Sequence, residues 1–210
     1  GGLPTGDGWA YEIKWDGMRI VAEIDGGRLR LRSGRGNDAT VTFPELAGLA
    51  DATGGRDAVL DGEVVAFDDA GVPSFARLQQ RMHVADPATA AARAAAVPVV
   101  YVVFDLLHFD GHDCWQLPYR DRRRLLEQLL DDGPSWRVAA AHDDGTALLQ
   151  AARDHRLEGV MAKRVDRPYE PGRRSATWRK VKVRLRQEFV VGGWQPGARS
   201  RDGTIGSVML

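Results

Sequence analysis

Six consecutive residues, Lys14-Trp15-Asp16-Gly17-Met18-Arg19, bring an amine, a carboxylate, a glycine and a guanidinium together just after a short apolar run. An amine attacks a nucleotide phosphate only once it has lost its proton. Lysine is the side chain that desolvation or neighbouring cations discharge most readily. Gly17 lets backbone approach a ligand closely or turn sharply, and Arg19 offers a planar fork for phosphate or ribose oxygens. Alone, the hexapeptide reads equally well as a surface lysine at a strand end beside an Asp-Gly turn.

Four further clusters carry side chains suited to chemistry. Leu60-Asp61-Gly62-Glu63-Val64 puts carboxylates inside a β-rich run, where a charge is costly unless it is paired or faces a polar ligand. A strand-edge turn with a solvated glutamate is the plain alternative. Val103-Phe104-Asp105-Leu106-Leu107 sets an aromatic in an apolar run, which by itself reads as core. Leu157-Glu158-Gly159-Val160-Met161-Ala162-Lys163 brackets a short apolar strand with a carboxylate and an ammonium, a layout able to hold a hard metal ion and a phosphate together. In Trp178-Arg179-Lys180-Val181-Lys182, alternation sends Lys180 and Lys182 to one face of a strand. Two like charges side by side are destabilising unless something anionic lies between them, although a basic edge strand also blocks aggregation. The histidines (His83, His108, His112, His142, His155) show no metal-ligand spacing, and no basic residue sits beside Cys114 to activate it.

The elements that must position these groups follow from local pattern. Residues 9–32 read as strands, with 18–24 and 29–32 joined at Asp25-Gly26-Gly27, a hairpin signal. The 44–52 stretch predicts a short helix, 59–67 a strand that delivers polar groups, and 75–82 a weak helix. The alanine-rich 88–96 run predicts a solvent-covering helix or a mobile loop. Nearly continuous apolar character over 99–107 predicts a central strand. Leu125, Leu126, Leu129 and Leu130 set a helical period within 120–130. A helix over 146–155 follows, with Thr146 as its cap or first turn, then strands at 159–163 and 178–183. Near Gln187 the texture changes: Phe189-Val190-Val191-Gly192-Gly193-Trp194, a polar loop and the 205–210 stretch read as the opening of an all-β unit. A boundary at 184–188 gives units of 1–185 and 186–210.

At 210 residues the chain can bury one sizeable core, and 43% hydrophobic with 28% charged residues is ordinary for a globular protein. Twenty-nine basic against 29 acidic residues give a formal net charge of +0, but local fields follow clustering rather than totals. The 28–35 stretch holds Arg28, Arg30, Arg32 and Arg35 without an acid, and 173–186 is equally basic and acid-free. A single cysteine excludes an intrachain disulfide and a thiolate-rich metal cluster, and suits a reducing cytosol. The 210 residues carry no signal-peptide pattern and no apolar run long enough to span a bilayer. The chain starts Gly1-Gly2 and stops at Ser207-Val208-Met209-Leu210 within an apolar pattern, so it is expected to be a fragment of a longer protein.

In order and over this length, Lys14, Glu63, Phe104, Glu158, Lys163, Lys180 and Lys182 resemble the motifs of the ATP-dependent polynucleotide ligase and capping-enzyme superfamily, most of all bacterial ATP-dependent DNA ligases of the end-joining type. Pro73-Ser74-Phe75, Asp110-Gly111, Tyr119-Arg120-Asp121-Arg122-Arg123, Tyr169-Glu170-Pro171-Gly172-Arg173 and Gly192-Gly193-Trp194 support the resemblance. It implies an α+β nucleotidyltransferase (ATP-grasp-like) fold, antiparallel sheets flanked by helices, followed by the first strands of an OB-fold barrel. It also implies that Lys14 attacks the α-phosphate of ATP to give lysyl-AMP, that AMP passes to the 5′-phosphate of nicked double-stranded DNA, and that the 3′-hydroxyl then seals the nick. Glu12, or the backbone at Ile13, meets the adenine amino group. Phe104 stacks on the base, with Val160 or Met161 on its other face. Glu63 binds the ribose hydroxyls and Arg19 reaches ribose or the nick. Glu158, with Glu63, serves Mg²⁺ or Mn²⁺, and Lys163, Lys180 and Lys182 meet the phosphates. The resemblance further implies a monomer in the bacterial cytoplasm, at the nucleoid, working with flanking or separate end-joining proteins.

Two departures from the family pattern stand out. The family's Ser-Arg-Asn-Gly is replaced here by Arg32-Ser33-Gly34-Arg35-Gly36-Asn37-Asp38, so either Arg32 or Arg35 is the residue for the nick phosphate, and Arg32 is also a candidate for the nucleotide. The family's last basic motif, which orients pyrophosphate, lies beyond this stretch. The 210 residues are therefore expected to adenylate slowly and to seal nicks poorly. A capping-type guanylyltransferase or RNA ligase shares the Lys-x-Asp-Gly-x-Arg chemistry, and a non-catalytic nucleic-acid-binding module would share the basic clusters.

Overall fold

Alternation of apolar and polar side chains builds the sheets of this chain, seen in a computed structural model that describes residues 2–173, 175–183, 192–197 and 203–209. The strands are β1 (Trp9–Lys14), β2 (Met18–Asp25), β3 (Arg28–Ser33), β4 (Ala58–Ala66), β5 (Val99–Phe109), β6 (His112–Asp113), β7 (Trp136–Val138), β8 (Gly159–Arg164), β9 (Trp178–Lys182), β10 (Gly193–Pro196) and β11 (Ile205–Met209). Six of them form the larger sheet, in the order β3-β2-β4-β5-β6 with β7 beside β5. β1, β8 and β9 form a second sheet with β8 in the middle. Pairing is antiparallel throughout the described strands except between β5 and β7, which run parallel.

The β2–β3 hairpin turns at Gly26 and Gly27, with φ of 54° and 73°. Two-residue hairpin loops need that left-handed pair, and glycine supplies it without strain. Along β2, Ile20, Ala22 and Ile24 are buried while Arg19, Val21 and Glu23 alternate onto the opposite face. The buried face joins Leu31, Leu60, Val64, Tyr101 and Leu106 in the main core. A 3-10 turn (Pro44–Leu46), α1 (Leu49–Ala52), α2 (Phe75–Gln79) and α4 (Tyr119–Leu129) supply Leu46, Leu49, Leu78 and Leu126 to that core. The smaller sheet has its own apolar cluster, where Tyr11, Val160 and Ala162 pack against Leu148 and Ala152 of α5 (Gly145–Asp154).

Several local expectations change in detail. The 44–52 helix is split into the 3-10 turn and α1, with Gly48 between them. The 88–96 run is a regular helix, α3 (Pro87–Ala96), opened by Asp86, whose carboxylate accepts from the Thr89 N–H at 2.7 Å. α5 is capped by Asp144 rather than Thr146, because the Asp144 carboxylate accepts from the N–H groups of Thr146 and Ala147. β4 runs unbroken through Asp61-Gly62-Glu63, with register shifts against β5 around Asp61. β10 pairs with β11 antiparallel from Gly193↔Met209 to Pro196↔Ile205. The expected boundary at 184–188 lies outside the described residues.

α4 is locked to β5 by charge. Arg122 is fully buried and grips Asp105 through bonds of 2.6 and 2.8 Å, while also donating to the Leu117 carbonyl at 2.6 Å. Removing one partner of a buried pair leaves an uncompensated charge and costs about 3–5 kcal/mol. Arg122→Met is therefore expected to lower the urea midpoint sharply, with Asp105→Asn/Arg122→Met recovering much of the loss.

Candidate active site

The two sheets enclose a cavity of about 180 Å³, lined by Glu12, Ile13, Lys14, Trp15, Arg19, Glu63, Phe104, Met161, Lys163 and Trp178. Strand register explains why these side chains meet. Glu12 lies opposite Met161, itself opposite Lys180, and Lys14 lies opposite Gly159, itself opposite Lys182. The larger sheet contributes Arg19 and Glu63, which are paired across β2 and β4. Two glycines permit the approach. A Cβ on Gly17 would sit 2.2 Å from the Val64 carbonyl oxygen, so only glycine lets the turn after Lys14 lie against β4. Gly159 has φ of 151°, and a Cβ there would sit 2.1 Å from the Val181 carbonyl oxygen.

One end of the cleft is open and ionic. Lys14 Nζ donates to Glu158 Oε2, and Lys182 Nζ lies 2.8 Å from Glu158 Oε1. Burial pushes the Glu158 carboxyl up, but the two ammonium groups outweigh it and hold the group below the usual carboxylate range. Lys14 and Glu158 are each 20% exposed, so this pair still meets solvent. Lys180 shares its strand face with Lys182, which answers the like-charge problem in part: Glu158 is the anion beside Lys182. Arg19 forks onto Asp61 at 2.9 and 2.7 Å and also donates to the Tyr169 hydroxyl. That hydroxyl in turn donates to Asp61 at 2.8 Å. A neighbouring cavity of about 280 Å³ shares Arg19 and Trp178 and adds Arg173.

The other end is closed and aromatic. Lys163 and Glu12 are 1% and 2% exposed and 2.7 Å apart. The Lys163 ammonium also donates to the Phe104 carbonyl at 3.2 Å. It lies 4.2 Å from the Trp178 ring centroid and 4.6 Å from that of Phe104. Desolvated cations gain from aromatic faces in this way. Phe104 and Trp178 meet edge to face, their centroids 5.9 Å apart. Flat apolar walls with a polar edge between them suit a nucleobase.

The structure brings together Glu12, Ile13, Lys14, Arg19, Glu63, Phe104 and Lys163 at the cavity, with Glu158 and Lys182 at its mouth. Ile13 borders the cavity while its side chain packs in the cluster behind β1. Val160 is a correction. Strand alternation buries it in that same cluster, and Met161 lines the cavity in its place. Lys163 is placed at the closed end and not with the open-end cations, because Glu12 and Phe104 take up its donors. Arg32 does not reach the cavity. It sits on the edge strand β3, and its guanidinium pairs with Glu23 at 2.8 Å. Arg35 lies exposed in the turn after β3, which is fastened to the Arg19 carbonyl through the Gly34 N–H at 3.0 Å. Trp178, Trp15, Asp61 and Tyr169 join the site although none was expected as a site residue, Asp61, Trp178 and Tyr169 having been noted only within their motifs. Trp178 was within reach, since it alternates onto the face of Lys180 and Lys182.

Glu63 carries the clearest pH signature. Burial pushes its carboxyl up from 4.5 to about 7, against the pull of the Lys14 charge. The folded state therefore holds this proton more tightly than the unfolded chain. The associated stability is full below about pH 4.5 and is lost as pH rises through about 7. The shift corresponds to about 3 kcal/mol. Urea unfolding at a series of pH values should show the wild type losing that much relative to Glu63→Gln across this window. Parallel curves would mean that Glu63 ionises as freely as in the unfolded chain.

Comparison with known proteins gives this arrangement a family. The profile of the ATP dependent DNA ligase domain matches residues 4–182. The multifunctional non-homologous end joining protein LigD of Mycolicibacterium smegmatis is 39% identical over 202 residues, 96% of this chain and 25% of that protein. The chain thus spans about a quarter of the length of this relative. The crystal structure of the ligase domain from M. tuberculosis LigD is 40% identical, with a TM-score of 0.70 over 83% of this chain and 54% of that one. The mycobacterial DNA ligase D complexed with ATP and MES is 39% identical, with a TM-score of 0.70 over 95% of this chain and 60% of that one. With its lysine, carboxylates and aromatic walls gathered between two sheets, the chain belongs to the ATP-dependent DNA ligase domain family.

Proposed function

We propose that the cleft binds ATP and that Lys14 takes AMP from it, as the first step in joining nicked double-stranded DNA. The observation that carries this reading is the polarity of the cleft: a lysine amine at the open, cationic end and an aromatic slot with a charged floor at the other. In this reading adenine enters between Phe104 and Met161, with its amino group toward Glu12, and Trp178 closes the slot. Ribose lies toward Glu63 and Arg19, and the phosphates reach Lys14, Lys180 and Lys182. As the triphosphate arrives, its charge competes with Glu158 for the Lys14 amine. Once the Lys14 ammonium has lost one proton to water, the neutral amine forms an N–P bond at the α-phosphorus, the P–O bond to pyrophosphate breaks, and a second proton passes from the new N–P group to solvent. The lysines act by offsetting charge on the phosphoryl oxygens, which dominates this chemistry.

Glu158 touches the Lys14 amine and Glu63 feels its charge. Among the described residues no three His, Cys, Asp or Glu side chains gather into a metal cage. Such a donor set suits a hard cation that keeps its waters and takes phosphate oxygens, as Mg²⁺ and Mn²⁺ do. When bound, the cation adds further charge stabilisation on the phosphates. The exposed arginines of β3 and its turn, Arg30 and Arg35, are offered to the DNA backbone, and Arg35 is favoured over Arg32 for the nick phosphate because Glu23 already holds Arg32. We assign 1–185 to the adenylation unit and 186–210 to the start of an OB fold, a reading supported by the β10–β11 pair. No described helix is long and apolar enough to cross a membrane, and a DNA substrate would put the chain at the bacterial nucleoid.

Incubation with ATP and Mg²⁺ should add the mass of one AMP to the wild-type chain and none to Lys14→Ala. An adduct formed from GTP and not from ATP, or one retained by Lys14→Ala, would overturn the assignment.

A further inference from the structure

The charged floor of the slot has a third member that the reaction as described does not use. Tyr119 is 2% exposed and its hydroxyl donates to Glu12 Oε1. Burial, and then the Glu12 charge, push the phenol well above its ordinary range, so it remains a donor. Its ring also lies against the Lys163 ammonium, 5.1 Å from Nζ to the centroid. Tyr119 is itself held on every side. It begins α4, its N–H donates to the Arg167 carbonyl at 2.9 Å, and Arg122 one turn on is pinned to Asp105.

Glu12 therefore has two fixed donors, Lys163 and Tyr119, and both come from outside β1. The Lys163 ammonium lies 2.9 Å from Oε1 and 2.7 Å from Oε2, and the Tyr119 hydroxyl adds a second donor at Oε1 from another direction, which holds the plane of the group. The remaining lone pairs are then aimed rather than averaged. A carboxylate can accept about four hydrogen bonds, so a further donor from a ligand can still be received.

We propose that Tyr119 is a positioning residue for base recognition: its hydroxyl orients Glu12 so that the carboxylate accepts from the exocyclic amino group of a 6-aminopurine. This rests on the reading of the cleft as an ATP site. A 6-aminopurine presents a donor to Glu12. A 6-oxopurine presents an acceptor, which leaves the buried carboxylate facing another oxygen. Selection against the oxo base follows from electrostatics, and its sharpness depends on how firmly Glu12 is held.

The test couples the enzyme hydroxyl to the substrate amino group. Binding of ATP and of purine riboside triphosphate, which lacks the 6-amino group, is measured by calorimetry on Lys14→Ala, where no AMP transfer intervenes. A hydrogen bond to a charged group gives ATP an advantage of about tenfold or more. Adding Tyr119→Phe, which keeps the ring and removes the hydroxyl, should weaken ATP by about three- to tenfold and leave the analogue within about twofold, the scale of one side-chain hydrogen bond. In the otherwise wild-type chain, the same substitution should raise the ATP concentration for half-maximal lysyl-AMP formation and leave the maximal rate nearly unchanged. Equal weakening of both nucleotides, or an undiminished preference for ATP, overturns the proposal for Tyr119 alone. If Lys14→Ala by itself shows no preference for ATP over the analogue, the base-end assignment of the cleft falls with it.

Discussion

A charge taken out of water must meet its opposite, and the interior of this protein is arranged around that requirement. Among the described residues, Glu12 with Lys163 and Asp105 with Arg122 are ion pairs buried on both sides, and the buried Asp61 is met by Arg19, whose side chain stays half exposed. Asp61 and Asp105 face each other across β4 and β5, where two carboxylates would repel unless each had its own cation. Arg19 comes from β2 and Arg122 from α4, so meeting this need fixes both elements against the sheet. Tyr169 bonds to Asp61 and Arg19 together, and the Arg122 guanidinium lies within 6 Å of both the Tyr119 and Tyr169 ring centroids, at 5.9 and 5.8 Å.

The same physics divides the cleft. At the closed end Glu12 and Lys163 are almost wholly dry, and exchanging either for a neutral group would strand a charge. Such a pair is rigid and suits recognition. At the open end Lys14, Lys182 and Glu158 remain partly wet, where ion pairs are worth little and exchange partners cheaply. That is what a nucleophilic amine needs, since it must leave its carboxylate when an anionic phosphate arrives. Glu63 stands between these regimes, buried enough to titrate near neutrality.

Much of this was legible in the residues. The β2–β3 hairpin, the central strand at β5, the α4 period and the shared face of Lys180 and Lys182 all follow from patterns a few residues long. Asp61 and Glu63 could be named because they interrupt a β-rich run, where a polar group has to be explained, whereas Lys14, Phe104 and Glu158 stood out through the order of motifs they share with the family. Less was legible where two readings share one local signal. Val160 and Met161 are both apolar and adjacent, and only the packing of α5 behind β8 decides which one turns to the cavity. Lys163 looks like another phosphate ligand until Glu12 is seen beside it.

The sequence by itself determined which residues could do chemistry and on which face of which strand they sit, because alternation and turn geometry act over nearest neighbours. Tertiary structure decided their partners. Lys14 and Glu158 are 144 residues apart, Lys163 and Glu12 are 151 apart, and Tyr119 and Glu12 are 107 apart. No local pattern encodes such distances. They are set when two sheets close on each other and bring charges from distant parts of the chain within reach of one another.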